Sequence, residues 1–415
     1  MSNAVIDRAA LRRRNALFAL FLLPGLGLAS WVTRTPDMRD LLAVSTAEMG
    51  FVLFGLSVGS MVGILGSGAL VARFGTRPIV LLGMASLVVA LPVIGAGGAL
   101  GAPVLAALGL AIFGFGVGGG EVAMNIEGAE VERLLGRSVL PALHGCFSLG
   151  TVIGALIGMG LTAIAFPVQW HLGGMAVVAL VVLLVAIRSV PAGFGKGAPR
   201  ARGERRDPAT RVVLWRDKRL LAIGGIVLAM AFAEGAANDW LPLLMVDGHG
   251  FDPALGSAVF AIFAAAMTIG RFAGGAAIGR FGRAAVMRVS AIAGAIGLAL
   301  VVFVDNPVVA AAAVLLWGLG ASLGFPVAIS AAGDSGSAAQ SAQRVAQAAI
   351  VGYLAFLVGP PLLGLLGEEL GLRLAMIVVL VLVAGAVLLA PAVRESRGDG
   401  AGSDAVPVEP APARH

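Results

Sequence analysis

Twelve long apolar runs, separated by short connectors carrying Gly, Pro and Arg, dominate this chain and leave few folds open to it. Each is close to the ~20 residues a helix needs to cross the hydrocarbon core of a bilayer. They fall near 15–35, 47–71, 78–98, 103–127, 139–165, 170–188, 219–245, 254–279, 284–304, 307–331, 345–366 and 373–393. In hydrocarbon each backbone N–H and C=O must be satisfied within its own segment, so such runs fold as helices. A water-soluble reading fails on composition: 59% of the residues are hydrophobic and only 13% charged, against ~25% charged in an average soluble domain. The expected fold class is an all-α membrane protein.

The connectors carry the topology signal. Placing the N-terminus in the cytoplasm puts Arg8, Arg12, Arg13 and Arg14 inside, with Arg73 and Arg77, Arg133 and Arg137, and Arg280 and Arg283. The loops FPVQWH, DGHGFDP and FVDNP then fall outside and carry no Lys or Arg, as the positive-inside rule requires. Arg34 and Arg39 are the exceptions, partly offset by Asp37 and Asp40. Both lysines, Lys196 and Lys218, lie in the one long polar connector, 189–218, which divides the chain into two sets of six spans. The expected organisation is an N-terminal bundle over 1–188, a cytoplasmic linker over 189–218, a C-terminal bundle over 219–393, and a disordered cytoplasmic tail over 394–415. The net charge of +6 is thus spent on orientation and does not point to nucleic acid.

The halves repeat. GALVARFGTR at 68–77 matches GAAIGRFGRA at 275–284, ASW at 29–31 matches NDW at 238–240, and FGFGVGGG at 113–120 matches WGLGASLG at 317–324. Six spans per copy preserve the in-to-out sense, giving a parallel repeat about an axis along the membrane normal. Transporters so built hold substrate between their halves near the midplane. The basic N-terminus followed by an apolar run faintly resembles an export signal, but its length and the many similar runs behind it favour a retained first helix.

Other chemistries are unsupported. Gly114, Gly116 and Gly119 match G-x-G-x-x-G, but they lie inside a span with no strand before them, so a dinucleotide site is rejected. The single Cys146 supplies neither a disulfide nor a thiolate metal site. No phosphate-binding loop or HExxH motif is present, so neither ATP-driven transport nor enzymatic hydrolysis is expected. No cofactor or metal is expected either.

These features resemble the major facilitator superfamily, with its two six-helix bundles and a G-x-x-x-D-R-x-G-[RK]-[RK] loop after the second helix. The loop stands here as Gly68, Arg73, Gly75 and Arg77, and again as Gly275, Arg280, Gly282 and Arg283. The acid of that motif is Ala72 in the first copy and Gly279 in the second. In the family that acid helps latch the cytoplasmic side, so the resemblance implies a weaker or differently built latch here. Glu121 and Asn125 resemble the E-x-x-x-N of helix four in the fucose-permease-like branch; Gly352-Tyr353 and the GPP at 359–361 resemble helix eleven of related permeases. By this resemblance helices one, four, seven and ten line a central cavity. That branch also carries an acid inside span one, which this chain lacks.

Ionisable residues inside a bilayer cost a few kcal/mol and are functional candidates by default. Glu121, deep in span four with Asn125 one turn on, is the first choice for proton coupling. Glu234 in span seven repeats the spacing with Asn238 and is the second candidate, with function and structure evenly weighed. Arg271 in span eight is assigned with Arg73, Arg77, Arg280 and Arg283 to the cytoplasmic gate; a transient pair with Glu121 stays open. Asn125 and Asn238 are substrate-contact candidates, and Trp31, Trp317 and Tyr353 could stack on a substrate ring, although packing is the commoner use of each. Trp240 is read as an interfacial anchor. Glu127, Glu130 and Glu132 are read as solvated at the end of span four. His144 is read as an interfacial histidine, with a proton relay to Glu127 or Glu130 as the other possibility.

The resulting expectation is a monomeric, multi-pass transporter of a bacterial inner membrane, with both termini cytoplasmic. It moves a small solute by alternating access, with proton symport of a polar or sugar-like solute ahead of proton-antiport export of drugs or metabolites. A non-transporting membrane sensor or scaffold is the remote alternative.

Overall fold

The structure is a computed structural model that describes residues 8–197, 217–335 and 338–395. Most of the expected linker and nearly all of the expected disordered tail lie outside the described residues. Twelve helical segments among those described are long and apolar enough to cross a membrane. In chain order the helices are α1 (Arg8–Val32), the short α2 (Thr35–Leu42), α3 (Thr46–Phe74), α4 (Thr76–Ala99), α5 (Pro103–Leu135), α6 (Leu140–Ala163) and α7 (Val168–Ala186). After the linker come α8 (Lys218–His249), α9 (Pro253–Phe281), α10 (Arg283–Phe303), α11 (Pro307–Ala321), α12 (Gly324–Asp334), α13 (Ala338–Leu370), α14 (Leu372–Ala375) and α15 (Ile377–Leu389). Span ten is broken into α11 and α12 at Ser322 and Leu323, and span twelve is α14 with α15.

Local chemistry starts these helices. Ser45 caps α3 in a reciprocal pairing with Glu48, Asp217 caps α8, Asp252 caps α9, and Asn306 caps α11. Pro opens α5, α9 and α11, where a missing N–H costs nothing. Gly75 between α3 and α4 has φ 88°, and Gly282 between α9 and α10 has φ 78°. This shared left-handed turn, at matching points of the two halves, is the backbone expression of the sequence repeat.

The helices α1 and α3–α7 pack into one bundle and α8–α15 into another. Two seams join them, α3 against α13 and α6 against α9. The glycine run of span four makes the first bundle tight. A Cβ on Gly114 would lie 2.1 Å from the Leu56 carbonyl oxygen, and one on Gly116 2.5 Å from that of Gly83. α5 is therefore pressed backbone to backbone against α3 and α4, the use of small residues expected between helices in lipid.

Several helices outrun their hydrophobic segments, because hydropathy loses a helix where polar residues begin. α5 continues to Leu135, so Glu127, Glu130 and Glu132 lie on it, and α1 begins early enough that Arg13 is helical. Trp240, expected as an interfacial anchor, is fully buried against the α13 backbone at Gly364. The two exceptions to the charge rule are structural. Arg34 is buried, donates to Thr162 Oγ1 at 3.1 Å and to the Phe166 carbonyl, and pairs with Asp37 at 3.0 Å. Arg39 pairs with Asp40 at 3.3 Å and, across the seam, with Asp247.

Candidate functional site

Four of the ionisable or hydroxylated groups singled out from the sequence meet in the gap between the bundles. Glu121 comes from α5, Glu234 from α8, Arg271 from α9 and Tyr353 from α13. Arg271 Nη2 donates to Glu234 Oε1 at 2.8 Å, and Nη1 donates to Ser148 Oγ of α6, in the other bundle, at 3.3 Å. Arg271 thus spans the seam while its charge is matched within its own bundle.

Glu121 stands apart from that pair. Its side chain is 41% exposed, and its one neighbour at ion-pair range among the described residues is His144 Nδ1, at 4.0 Å. The charges of Arg271 and Glu234 act on it across the gap, and its own charge acts on the Tyr353 hydroxyl. His144 is held edge-on against the Phe21 ring, centroids 5.4 Å apart, which aims its Nδ1 at Glu121. His144, read as an interfacial histidine with a relay to Glu127 or Glu130 as the other possibility, here has Glu121 as its carboxylate neighbour.

Of the polar substrate candidates, Asn125 lies one turn from Glu121 with its Oδ1 buried and without a hydrogen-bond partner among the described residues, and Asn238 is partly exposed. The aromatic candidates divide. Tyr353 is half-buried at the gap. Trp31 and Trp317 are 1% and 0% exposed, and Trp317 donates its indole N–H to the Ala233 carbonyl at 3.2 Å and packs edge-on against Phe263. These two tryptophans are core residues, because a large ring inside a helix bundle fills space wherever helices converge.

The arginines assigned to the gate lie in two places. Arg271 belongs to the central cluster. Arg73 and Arg280 lie over the rings of their own neighbours Phe74 and Phe281, at 5.1 and 5.3 Å, Arg77 is partly buried, and Arg283 pairs with Asp334 at 2.5 Å inside its own bundle. No ion pair between these loop arginines and the opposite bundle is present among the described residues. Hydrogen bonds between the bundles occur at mid-depth and on the far face.

A second charged cluster escaped the sequence reading. Glu127, expected to be solvated, is fully buried and takes Arg13 through Nε at 2.5 Å and Thr76 through its hydroxyl. Thr76 N–H donates to the Phe194 carbonyl at 2.8 Å, and the Phe194 ring lies 4.7 Å from the Arg13 guanidinium. Gly197 N–H donates to the Ala72 carbonyl at 3.2 Å. The start of the linker therefore docks on the loop where the motif's acid is missing. Nothing in local sequence marks this, since Arg13 and Glu127 are 114 residues apart. Glu132, also read as solvated, accepts from the Val139 and Leu140 amides and caps the start of α6.

Comparison with known proteins places this geometry. The sequence profile of the Major Facilitator Superfamily matches residues 138–349 and 275–415. An uncharacterized MFS-type transporter of Yersinia pestis is 29% identical over 360 residues, covering 86% of this chain and 89% of the relative. A membrane protein of Rhizobium meliloti, MosC, is 24% identical over 368 residues, covering 87% and 85%. Among solved structures, a D-xylose-proton symporter superposes with TM-score 0.72 at 14% identity, covering 92% of this chain and 97% of that one. The nucleoside transporter NupG gives 0.70 at 17%, covering 93% and 99%, and the E. coli fucose:proton symporter FucP gives 0.62 at 16%, covering 94% and 100%. At these identities the structural likenesses establish the fold.

Proposed function

This chain belongs to the Major Facilitator Superfamily, and from its central site we propose that it is a secondary active transporter coupling proton movement to the symport of a small polar solute. One observation carries the reading: between the bundles there are two carboxylates and one guanidinium, and the guanidinium is already matched to Glu234. Glu121 keeps an unmatched charge in a gap that alternating access must close. Closing low-dielectric walls around a bare carboxylate is costly, so the charge must first be neutralised. A proton does this without occupying solute space. Asn125, Asn238 and Tyr353 then present hydrogen-bonding groups to an uncharged polar solute, in keeping with the sugar and nucleoside transporters that share the fold.

The same unmatched charge supports a second reading. A cationic solute could neutralise Glu121 itself and exchange against a proton, which would make the protein an antiport exporter. In either case we place the termini in the cytoplasm of a bacterial inner membrane, on the arginine distribution of the connectors.

Proteoliposomes with an imposed pH gradient test the proposal, comparing the parent protein with Glu121→Gln. Uptake driven by an inward proton gradient and lost in the variant supports symport. Efflux exchanged against protons moves the assignment to antiport. Gradient-driven flux equal in both proteins removes Glu121 from coupling.

A further inference from the structure

The two seams that close the far face are built unequally. On one, α3 crosses α13 at Gly50 and Gly364, where a Cβ on Gly50 would lie 2.7 Å from the Pro360 carbonyl oxygen and one on Gly364 3.0 Å from Gly50 Cα. Only bare backbone fits so close. One turn further out, this approach seats the Glu368 carboxylate on the first turn of α3. Its Oε2 accepts the backbone N–H of Thr46 at 2.9 Å and of Ala47 at 3.2 Å.

Those amides belong to the orphan donors that a helix cannot satisfy internally. The N-cap Ser45 is occupied with the Glu48 N–H at 3.3 Å, so Thr46 and Ala47 take their acceptor from the other bundle. A carboxylate there also meets the positive end of the helix dipole, and hydrogen bonds to a charged acceptor are the strong kind.

The pseudo-equivalent seam has no such seat. α9 opens with Pro253, which has no N–H to give, and Asp252 of its own bundle caps the Leu255 amide at 3.0 Å. On the far face the bond beside that seam is neutral, from Ser257 Oγ to the Thr33 carbonyl between α1 and α2 at 2.8 Å; the seam's charged bond, from Arg271 to Ser148, lies at mid-depth. The Arg39–Asp247 pair joins α2 to α8 on the same face, with side chains 20% and 29% exposed, and is a second charged contact between the bundles there. Behind Glu368, about three turns along α3, Ser57 Oγ donates to the Phe356 carbonyl at 2.7 Å.

We propose that Glu368 is the gating residue of the far face: its carboxylate, seated on the first turn of α3, holds the bundles together there and leaves that seat when the gap opens to that side. The bonds it makes join parts that alternating access must separate, so they stabilise one state of the cycle and bias the population toward it. The assignment does not depend on what couples transport at Glu121.

The test reads access directly. In a Cys146→Ser background, a single cysteine replaces Ser57, behind the seat, or His144, on the termini side of the gap. Each is labelled with a membrane-impermeant maleimide from either side of oriented vesicles. Glu368→Gln should raise far-side labelling at 57 about tenfold, the equivalent of one charge-assisted hydrogen bond, with no rise in termini-side labelling at 144. Glu369→Gln, an equally exposed neighbour that makes no bond to α3 among the described residues, should change neither. Gly364→Val, which wedges α3 from α13 with the carboxylate intact, should reproduce the far-side rise. Unchanged labelling at 57 in Glu368→Gln overturns the proposal, and so does an equal rise at both positions, which would mean general loosening.

Discussion

Six residues of α5 separate Glu121 from Glu127, about 600° of helical turn or a net 120° difference in direction, so the two carboxylates meet different neighbours. Glu121 enters the gap between bundles, 41% exposed, with His144 at 4.0 Å as its one ion-pair neighbour among the described residues. Glu127 turns into the first bundle, where it is 0% exposed and held by Arg13 and Thr76. Both sit in one long spanning helix, and both violate the rule against charge in hydrocarbon. The contrast shows that the violation alone does not identify a transport residue. A permanently matched buried carboxylate is architecture; an unmatched, partly exposed one is what the proposed coupling requires.

The hardest way to break this contrast is to remove Arg13. Arg13→Ala strands an uncompensated charge in the first bundle and should cost about 3–5 kcal/mol of stability, seen as a large fall in thermal unfolding temperature in detergent. Glu121→Gln should leave that temperature nearly unchanged. Equal falls in the two variants would erase the distinction. Next in size, Glu234→Gln weakens the match to Arg271 and should reduce gradient-driven flux by roughly tenfold to a hundredfold, the range of a hydrogen bond to a charged partner. Flux assays in proteoliposomes decide this, and Glu234→Asp should recover part of the loss.

A finer probe is Thr76→Val, which takes one hydroxyl from Glu127 and keeps Arg13. We expect a loss of about 1–2 kcal/mol by the same unfolding assay, with flux per folded molecule preserved. The smallest effect belongs to Arg133→Ala. That residue pairs with Glu130 at 2.6 Å on the same helix, but its side chain is 70% exposed, so solvent screens the pair and its loss should leave the unfolding temperature unchanged. A destabilisation rivalling that of Arg13→Ala would show that burial does not separate the acids of α5.

Much of this arrangement was legible before any coordinates. Twelve apolar runs dictate twelve helices because hydrocarbon permits little else, and the repeated loop motif dictates two like bundles around a central gap. Glu121 and Glu234 were recognisable because each interrupts an apolar run with a charge that must have a reason. Arg271 was recognisable on the same ground, but its assignment to the gate came from the family resemblance, in which an arginine before the second loop belongs to the latch. The fold pairs it with Glu234, about three turns from that loop along α9.

What stayed hidden is the direction in which each side chain leaves its helix. In water an amphipathic stripe records that direction, because one face is polar. In a bilayer the lipid-facing side and the bundle core are both apolar, so a spanning sequence encodes depth along the helix and almost nothing about rotation around it. Twelve spans, their order, the two-fold repeat and the depth of each charge follow from the residues alone. Which carboxylate faces the gap, which is locked to Arg13, that Trp240 and Trp317 are core, and that Glu368 reaches the other bundle follow only from packing. Glycine-lined crossings such as Gly50 on Gly364 set the rotation of each helix against its neighbours.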